Sequence, residues 1–376
     1  MSKKSLSLFV LILVFAVIAS ACGKNGNNNA GASASSAAPS SQAASPSASP
    51  EPSPSASSGA SPSASPASAS PEGEIAKADE LSKVTQVLDW FAQPTHGGFY
   101  AAKQKGLYQE ANLDVSIEPG GPQVSAVQIV ASGKADFGLA GADTLLQARE
   151  QGIPVVALGA VLQISPSALF YHKEDTSIKD FGDLNGHKVS AVLAATYWQY
   201  LKSTYKLDKV QELQFNGQYA NFINDKTAVT QGYVTNTLAD LTAQGVETNY
   251  LLVADSGYRP YYTVIFATEK YVQEHPDIVR AYVGATARGW AYYKDNAPEI
   301  NAELVKLNQG AKVESFNAEA EAQKPYIFGH DAEQNGVLYF TKERWEELSK
   351  QLHDIGILKK NEDVAKAFTI EYLPKA

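Results

Sequence analysis

The sequence predicts an α/β protein of two lobes joined by two crossing strands and preceded by a disordered tether. Three observations predict it. Apolar runs alternate with helical patterns from Val84 onward, as in sheets built from βαβ units. After a strand at Ala168–His172 the strand–helix spacing starts afresh. One more β-branched strand, Tyr261–Thr268, then leads into a tail that is helical almost to its end. A first set, a second set and a return to the first place one lobe at 83–172 plus 261–376 and the other at 173–260, with hinge strands near Leu169–His172 and Tyr262–Ala267. No internal repeat is visible, which excludes a solenoid.

The amino-terminal part has a different character. Lys3 and Lys4 precede an apolar run from Leu6 to Ile18, then Ala19, Ser20 and Ala21 stand before Cys22. Basic start, short apolar run and small residues make residues 1–21 a secretory signal peptide, and the run is short for a membrane span. A cysteine directly after such a site resembles the bacterial lipoprotein signal, in which that cysteine is lipid-modified, although Ala19 stands where leucine is usual. Residues 22–73 then read as an anchored tether of Asn, Ser, Ala and Pro, with Glu51 the only charge between Lys24 and Glu72. Without Leu, Val, Ile or aromatic residues, nothing there offsets the entropy of ordering the chain. A coil of ~50 residues spans on the order of 40 Å.

In the folded part, Val84–Leu88 reads as a strand, Gly98–Lys105 as a helix stopped by Gly106, and Leu113–Ile117 as a second strand. A Gly120 turn leads to a helix at Val124–Ala131 and the short strand Ala135–Leu139; Asp143 is placed to cap a helix at Thr144–Gln151, and Pro154–Val161 is a buried strand. The second set comprises Ile178–Leu184, Lys188–Leu193, Tyr197–Tyr205, Gln211–Phe215, Val229–Val234, Leu238–Ala243 and Tyr250–Ala254. The tail holds helices at Ile278–Tyr293, Glu299–Leu307 and Lys342–His353, the last amphipathic around Trp345, Leu348 and Leu352.

Composition narrows the chemistry. With 31 basic and 40 acidic residues, a formal charge of −9 and no long basic run, a nucleic-acid partner is not expected. Cys22 is the single cysteine, and the six histidines show no metal-ligand spacing, so neither disulfides nor a zinc or iron centre is expected. A nucleotide loop, a dinucleotide fingerprint and a Ser–His–Asp elbow are also missing, and no cofactor is expected.

Several segments resemble the solute-binding proteins of ABC importers, in the branch for nitrate, sulfonate and thiamine-pyrimidine precursors. They are LDWF at Leu88–Phe91, HGGFYAAKQKGLYQEANLDV at His96–Val115, ASGKADFGLAGAD at Ala131–Asp143, QGIPVVALGAV at Gln151–Val161, FGDLNGHKV at Phe181–Val189 and the stretch Ala267–Trp290. The resemblance implies a type II periplasmic-binding fold, capture of a small solute between the lobes, and delivery to a permease and ATPase on other chains. It further implies a monomer that is exported and held by lipid at the outer face of the bacterial cytoplasmic membrane. The LDW-x-x-x-P-x-H pattern is similar to that of the thiamine-pyrimidine precursor binders, which sandwich a flat heterocycle between aromatic side chains, and places Asp89, Trp90 and His96 at or beside the cleft. The same fold also serves aliphatic sulfonates, taurine and nitrate. Eukaryotic relatives that make the pyrimidine from pyridoxal phosphate are enzymes with a cysteine-rich segment, which this chain lacks.

Candidate site residues fall on loops after strands, where open α/β sheets bind ligands. Trp90 can stack on a ring or pack at the lobe edge, His96 can bond a ring nitrogen or cap the next helix, and Tyr100 is a ligand contact or core. The pair Gly97 and Gly98 lets that helix start close to a ligand. Gly141 and Asp143 offer backbone N–H groups at a helix start, though the Asp143 carboxylate repels an anion and favours a neutral or aminated solute. Thr196, Tyr197 and Trp198 occupy the mirror position in the second lobe. Tyr233 and Asn236 follow a strand where the family often has an acidic residue. Tyr258 and Tyr261 lie where the chain returns between lobes, beside Arg259.

Overall fold

The computed structural model describes residues 76–121, 123–360 and 363–374, so the signal segment, Cys22 and the tether lie outside the described residues. The first lobe begins with β1 (Ser82–Val87), α1 (Gly97–Gln104), α2 (Leu107–Glu110), β2 (Leu113–Glu118), α3 (Ala126–Ala131), β3 (Phe137–Ala140), α4 (Ala142–Glu150) and β4 (Val155–Leu162). Gly106 separates α1 from α2 in the left-handed region at φ 73°, which suits glycine. Residues 163–166 cross to the second lobe, formed by β5 (Ser167–His172), β6 (Lys188–Ala191), α5 (Thr196–Tyr205), β7 (Gln211–Gln214), α6 (Ala220–Asn224), β8 (Ala228–Tyr233), α7 (Thr237–Ala243) and β9 (Thr248–Leu252). Residues 253–261 cross back to β10 (Tyr262–Thr268), and the chain continues through α8 (Glu269–Glu274), α9 (Pro276–Leu304), α10 (Val313–Phe328), α11 (Asp331–Asn335) and α12 (Lys342–Asp354).

Both sheets have five strands in matching order, β2-β1-β3-β10-β4 and β7-β6-β8-β5-β9. In each, the fourth strand runs antiparallel to its neighbours: β10 between β3 and β4, β5 between β8 and β9. Each of these strands is the one that has just crossed from the other lobe. The first crossing therefore comes earlier than the sequence suggests. Ala168–His172 was expected to close the first lobe, but its residues Ala168, Leu169, Phe170 and Tyr171 pair with Gly232, Gln231, Thr230 and Val229 in the second sheet.

Side-chain alternation shows why these strands are apolar on both faces. In β5, Leu169 and Tyr171 enter one core while Ala168 and Phe170 enter another. In β10, Ile265 and Ala267 face the α1/α9 side while Val264 and Phe266 face the opposite core. A register shift between Ile265 and Phe266 bends this strand against β4. Helix α9 breaks at Asn296 (φ −125°, ψ 24°), two residues before Pro298, which cannot donate a backbone hydrogen bond. This break divides it where the sequence predicts two helices.

The Gly97–Gly98 pair has a packing use and not the ligand-approach use expected. A Cβ at Gly97 would stand 2.1 Å from the Tyr293 ring, and one at Gly98 2.1 Å from the Trp290 ring. Across the interface, a Cβ at Gly289 would stand 2.2 Å from the Gly98 carbonyl oxygen. Helices α1 and α9 thus approach at a distance only glycine allows. Among the described residues, no helix is long and apolar enough to cross a membrane.

Candidate functional site

The segments after β1 and β3 of the first lobe meet those after β6 and β8 of the second at the lobe boundary. After β1, the loop Leu88–Gln93 is held on several sides. Gly120 N–H donates to the Trp90 carbonyl at 3.0 Å, Asn308 Nδ2 to the Ala92 carbonyl at 2.9 Å, and Gln323 Nε2 to the Pro94 carbonyl at 2.9 Å. So fixed, the loop leaves Trp90 and Phe91 exposed, at 42% and 47%, packed edge to face at 5.6 Å. Behind them His96 is fully buried, and its Nε2–H donates to Asp89 Oδ1 at 2.7 Å. Its Nδ1 is buried without a partner. His96 ends a short 3-10 turn that starts at Pro94 and makes no side-chain cap to α1.

On the second side of this lobe, Gly141 is the N-cap of α4 and Asp143 lies inside its first turn. The capping role expected of Asp143 is therefore corrected. Its Oδ1 accepts from the adjacent Thr144 N–H at 2.8 Å, and its Oδ2 accepts from the Tyr258 hydroxyl at 2.9 Å. Tyr258 belongs to the returning crossover and stacks on Tyr200 of α5 at 4.8 Å. Burial, then the charge of Asp143, holds the Tyr258 phenol well above its ordinary pKa, so it stays a donor. Gln147 Nε2 of α4 donates to Thr196 Oγ1 of α5 at 3.0 Å. These two bonds stitch the lobes together beside the crossovers.

Further along the boundary, phenols gather around carboxylates. The Tyr197 hydroxyl donates to Gln231 Oε1 at 2.6 Å, which also accepts from the Val192 N–H at 2.6 Å. Burial, then Asp89 among its charged neighbours, raises Tyr233; hydrogen bonds with Tyr262 and Ser167 act the other way. For Tyr262 the neighbouring Tyr233 phenol is the largest cause, followed by burial, Asp89 and Asp143, and it too is raised well above its ordinary value. The charged groups acting on these two phenols are carboxylates, with no Lys or Arg among them. The boundary thus forms a belt of neutral phenols lying in the field of the Asp89 and Asp143 carboxylates, with exposed aromatic rings following Asp89.

Not all expected residues join it. Trp198 is fully buried in the second lobe, its Nε1–H donating to Glu212 Oε1 at 2.5 Å. Tyr261 is 1% exposed and bonds Asp331 Oδ2 at 2.5 Å behind the crossover. Both are corrected to interior residues, because α5 turns Trp198 into the second lobe's core and the crossover turns Tyr261 back against Asp331. Tyr100 is 7% exposed within the α1/α9 core, and burial, then Glu118, pushes it up to about 12. Arg259 turns back on its own segment, its Nε–H donating to the Ala254 carbonyl at 3.0 Å. Asn236 precedes α7, where its Oδ1 accepts from the Thr237 hydroxyl at 3.2 Å and its side chain acts on Glu319, a residue of α10 that sequence reasoning did not select. Tyr262, Ser167, Gln231 and Gln147 were also not selected; Tyr262 alone carried a signal, as the first residue of the returning strand.

Two α/β lobes with crossed-over fourth strands and a polar, aromatic-edged boundary define the class of two-lobed periplasmic-binding-type proteins. The model for the family described as "NMT1/THI5 like" matches residues 93–300, more than half of the chain, and the chain belongs to that family. It is 27% identical over 310 residues to the riboflavin-binding protein RibY of Chloroflexus aurantiacus, covering 78% of this chain and 87% of that one. To the formylaminopyrimidine-binding protein of Halalkalibacterium halodurans it is 25% identical over 240 residues, covering 61% and 72%. It is also 22% identical over 313 residues to the 4-amino-5-hydroxymethyl-2-methylpyrimidine phosphate synthase of Legionella pneumophila, covering 80% and 95%. Among solved structures, the periplasmic aliphatic sulphonate binding protein SsuA of Escherichia coli aligns with a TM-score of 0.59 at 14% identity, over 78% of this chain and 94% of that chain, a likeness of fold.

Proposed function

We propose that this protein is the extracytoplasmic substrate-binding component of an ABC importer, capturing a small flat heterocycle such as a thiamine pyrimidine precursor. The observation that carries this reading is the carboxylate–phenol belt at the lobe boundary, with Asp89 and Asp143 acting on Tyr233 and Tyr262 and Trp90 exposed at its edge. Carboxylates without a cation suit a solute that presents N–H groups, and an indole edge suits an aromatic face. Trp90, Tyr197 and Tyr233 are the stacking candidates; His96, Asp143, Thr196, Tyr258 and Asn236 supply directional hydrogen bonds. The names of two relatives, riboflavin-binding and formylaminopyrimidine-binding, agree with a flat heterocycle.

Binding and not catalysis is our reading for this chain, although some relatives carry synthase names. The single cysteine, Cys22, precedes the folded part, unlike the cysteine-rich segment that the enzyme resemblance implies. Export, lipid attachment at Cys22, the tether and action as a monomer beside a permease and ATPase complete the proposal; they rest on the signal-like start and on the family. The fold likeness to a sulphonate binder favours the alternative of an anionic solute, but Asp89 and Asp143 disfavour an anion in this belt by like-charge repulsion. A thermal-shift screen of aminopyrimidines, flavins, alkanesulfonates, taurine and nitrate tests the choice. We expect the largest shift from a heterocycle; a largest shift from a sulfonate would sink the proposal.

A further inference from the structure

We propose that Glu319 of α10 is the specificity-determining residue of the cleft, accepting N–H groups from an amino or amidine edge of the solute. This rests on the boundary being the site of a flat heterocycle. One face of α10 packs on the loop after β1 and comes near the head of α7 in the second lobe. Glu319, 7% exposed, lies near Asn236 at the head of α7 in the second lobe, close enough for that amide to lower its pKa. One turn on, Gln323, 1% exposed, donates to the Pro94 carbonyl in the β1 loop, while its Oε1 is buried without a partner. Glu319 therefore sits between the loop that carries Trp90 and the loop that carries Tyr233.

Its surroundings leave it short of donors. Asp240 of α7 acts on it, and Tyr293 of α9, whose hydroxyl already donates to Asn301 Oδ1, lies within its field. On the 3-10 turn packed against α10, His96 is committed to Asp89. No cation is among the groups acting on the carboxyl. Burial above all, opposed by the Asn236 amide and helped by Asp240, pushes it up to about 7. A buried carboxyl with one amide and no cation nearby favours a ligand that brings N–H groups and disfavours an anion.

In the free cleft Glu319 keeps its proton below about pH 7. Accepting N–H groups lowers its pKa in the complex, so binding releases a proton there. Affinity is then full above about pH 7 and falls as pH drops, by at most about tenfold per unit.

The test is calorimetric titration of the full chain with 4-amino-5-hydroxymethyl-2-methylpyrimidine and with riboflavin across this pH range, for wild type, Glu319→Gln and Glu319→Asp. We expect Glu319→Gln to weaken the bound heterocycle roughly ten- to a hundredfold and to flatten the pH profile. Glu319→Asp, which keeps the carboxyl, should weaken binding and retain the profile, and it serves should the amide variant not fold. If wild type binds a heterocycle and Glu319→Gln matches it in affinity and profile, Glu319 is structural and the proposal is overturned. If wild type binds neither heterocycle but takes an alkanesulfonate, the reading of the cleft itself fails and takes this proposal with it.

Discussion

At Trp90 the chain leaves an indole 42% exposed beside an equally open Phe91, while at Gly98 it removes a side chain so that Trp290 can fill the space. The first residue contributes little to the core and is free to contribute to binding; the second does the reverse. Trp90→Ala should therefore lower affinity for the solute by about tenfold, counting stacking and lost area together, and leave thermal unfolding almost unchanged. Gly98→Ala forces a methyl into the Trp290 ring, and overpacking of this kind costs about 1–3 kcal/mol or more. Denaturant unfolding and solute titration on both variants check the pair. A Trp90→Ala variant that lost stability without losing affinity would return Trp90 to ordinary packing. The neighbouring Asp89–His96 bond shows what residue-level reading missed: the sequence singled out each residue, but their pairing depends on the 3-10 turn that brings the buried ring back under the loop.

At the scale of elements, α12 acts on the hinge. Arg344 Nη2 donates to the Gln163 carbonyl at 2.5 Å in the first crossover and to the Arg259 carbonyl at 2.8 Å in the second. Its Nη1 donates to Asp331 Oδ2 at 2.8 Å, and the guanidinium lies 3.8 Å over the Tyr261 ring. One side chain thus ties both crossovers to the first lobe, near Thr263, which β10 holds at φ 50°, an unusual conformation for a β-branched residue. Arg344→Met should destabilise the fold by about 2–4 kcal/mol, because carbonyls and Asp331 lose a charged donor. Urea unfolding reads this, and an unchanged midpoint would show that the tie contributes nothing. The legibility of elements follows their chemistry. Strands β4 and β10 were plain because nearly every residue is apolar and buried on both faces. The lobe to which β5 belongs was not, since its apolar residues suit either sheet and only pairing decides. Helix α10 escaped because its buried positions, Phe316, Glu319, Ala320, Gln323 and Ile327, have helical spacing but include two polar residues. With it went Glu319 and Gln323, which no apolar pattern marks.

For the folded part, two matching sheets with exchanged fourth strands make a hinge of two crossovers and a boundary where the segments after β1, β3, β6 and β8 meet. Bonds such as Asp143–Tyr258 and Gln147–Thr196 favour the lobes together, and a solute that touches both adds to that preference only through contacts it makes in the closed state. The two-lobed plan was legible in the sequence from the restart of the α/β spacing, whereas the belt was not, because Asp89, Tyr233, Tyr262 and Asp143 come from four separate segments. The central claim is that this boundary holds a flat heterocycle. Native mass spectrometry of the protein purified from its own cell, followed by release and identification of the bound molecule, tests it most directly. The account predicts one aminopyrimidine or flavin per chain; an alkanesulfonate, taurine or nitrate in that place would contradict it.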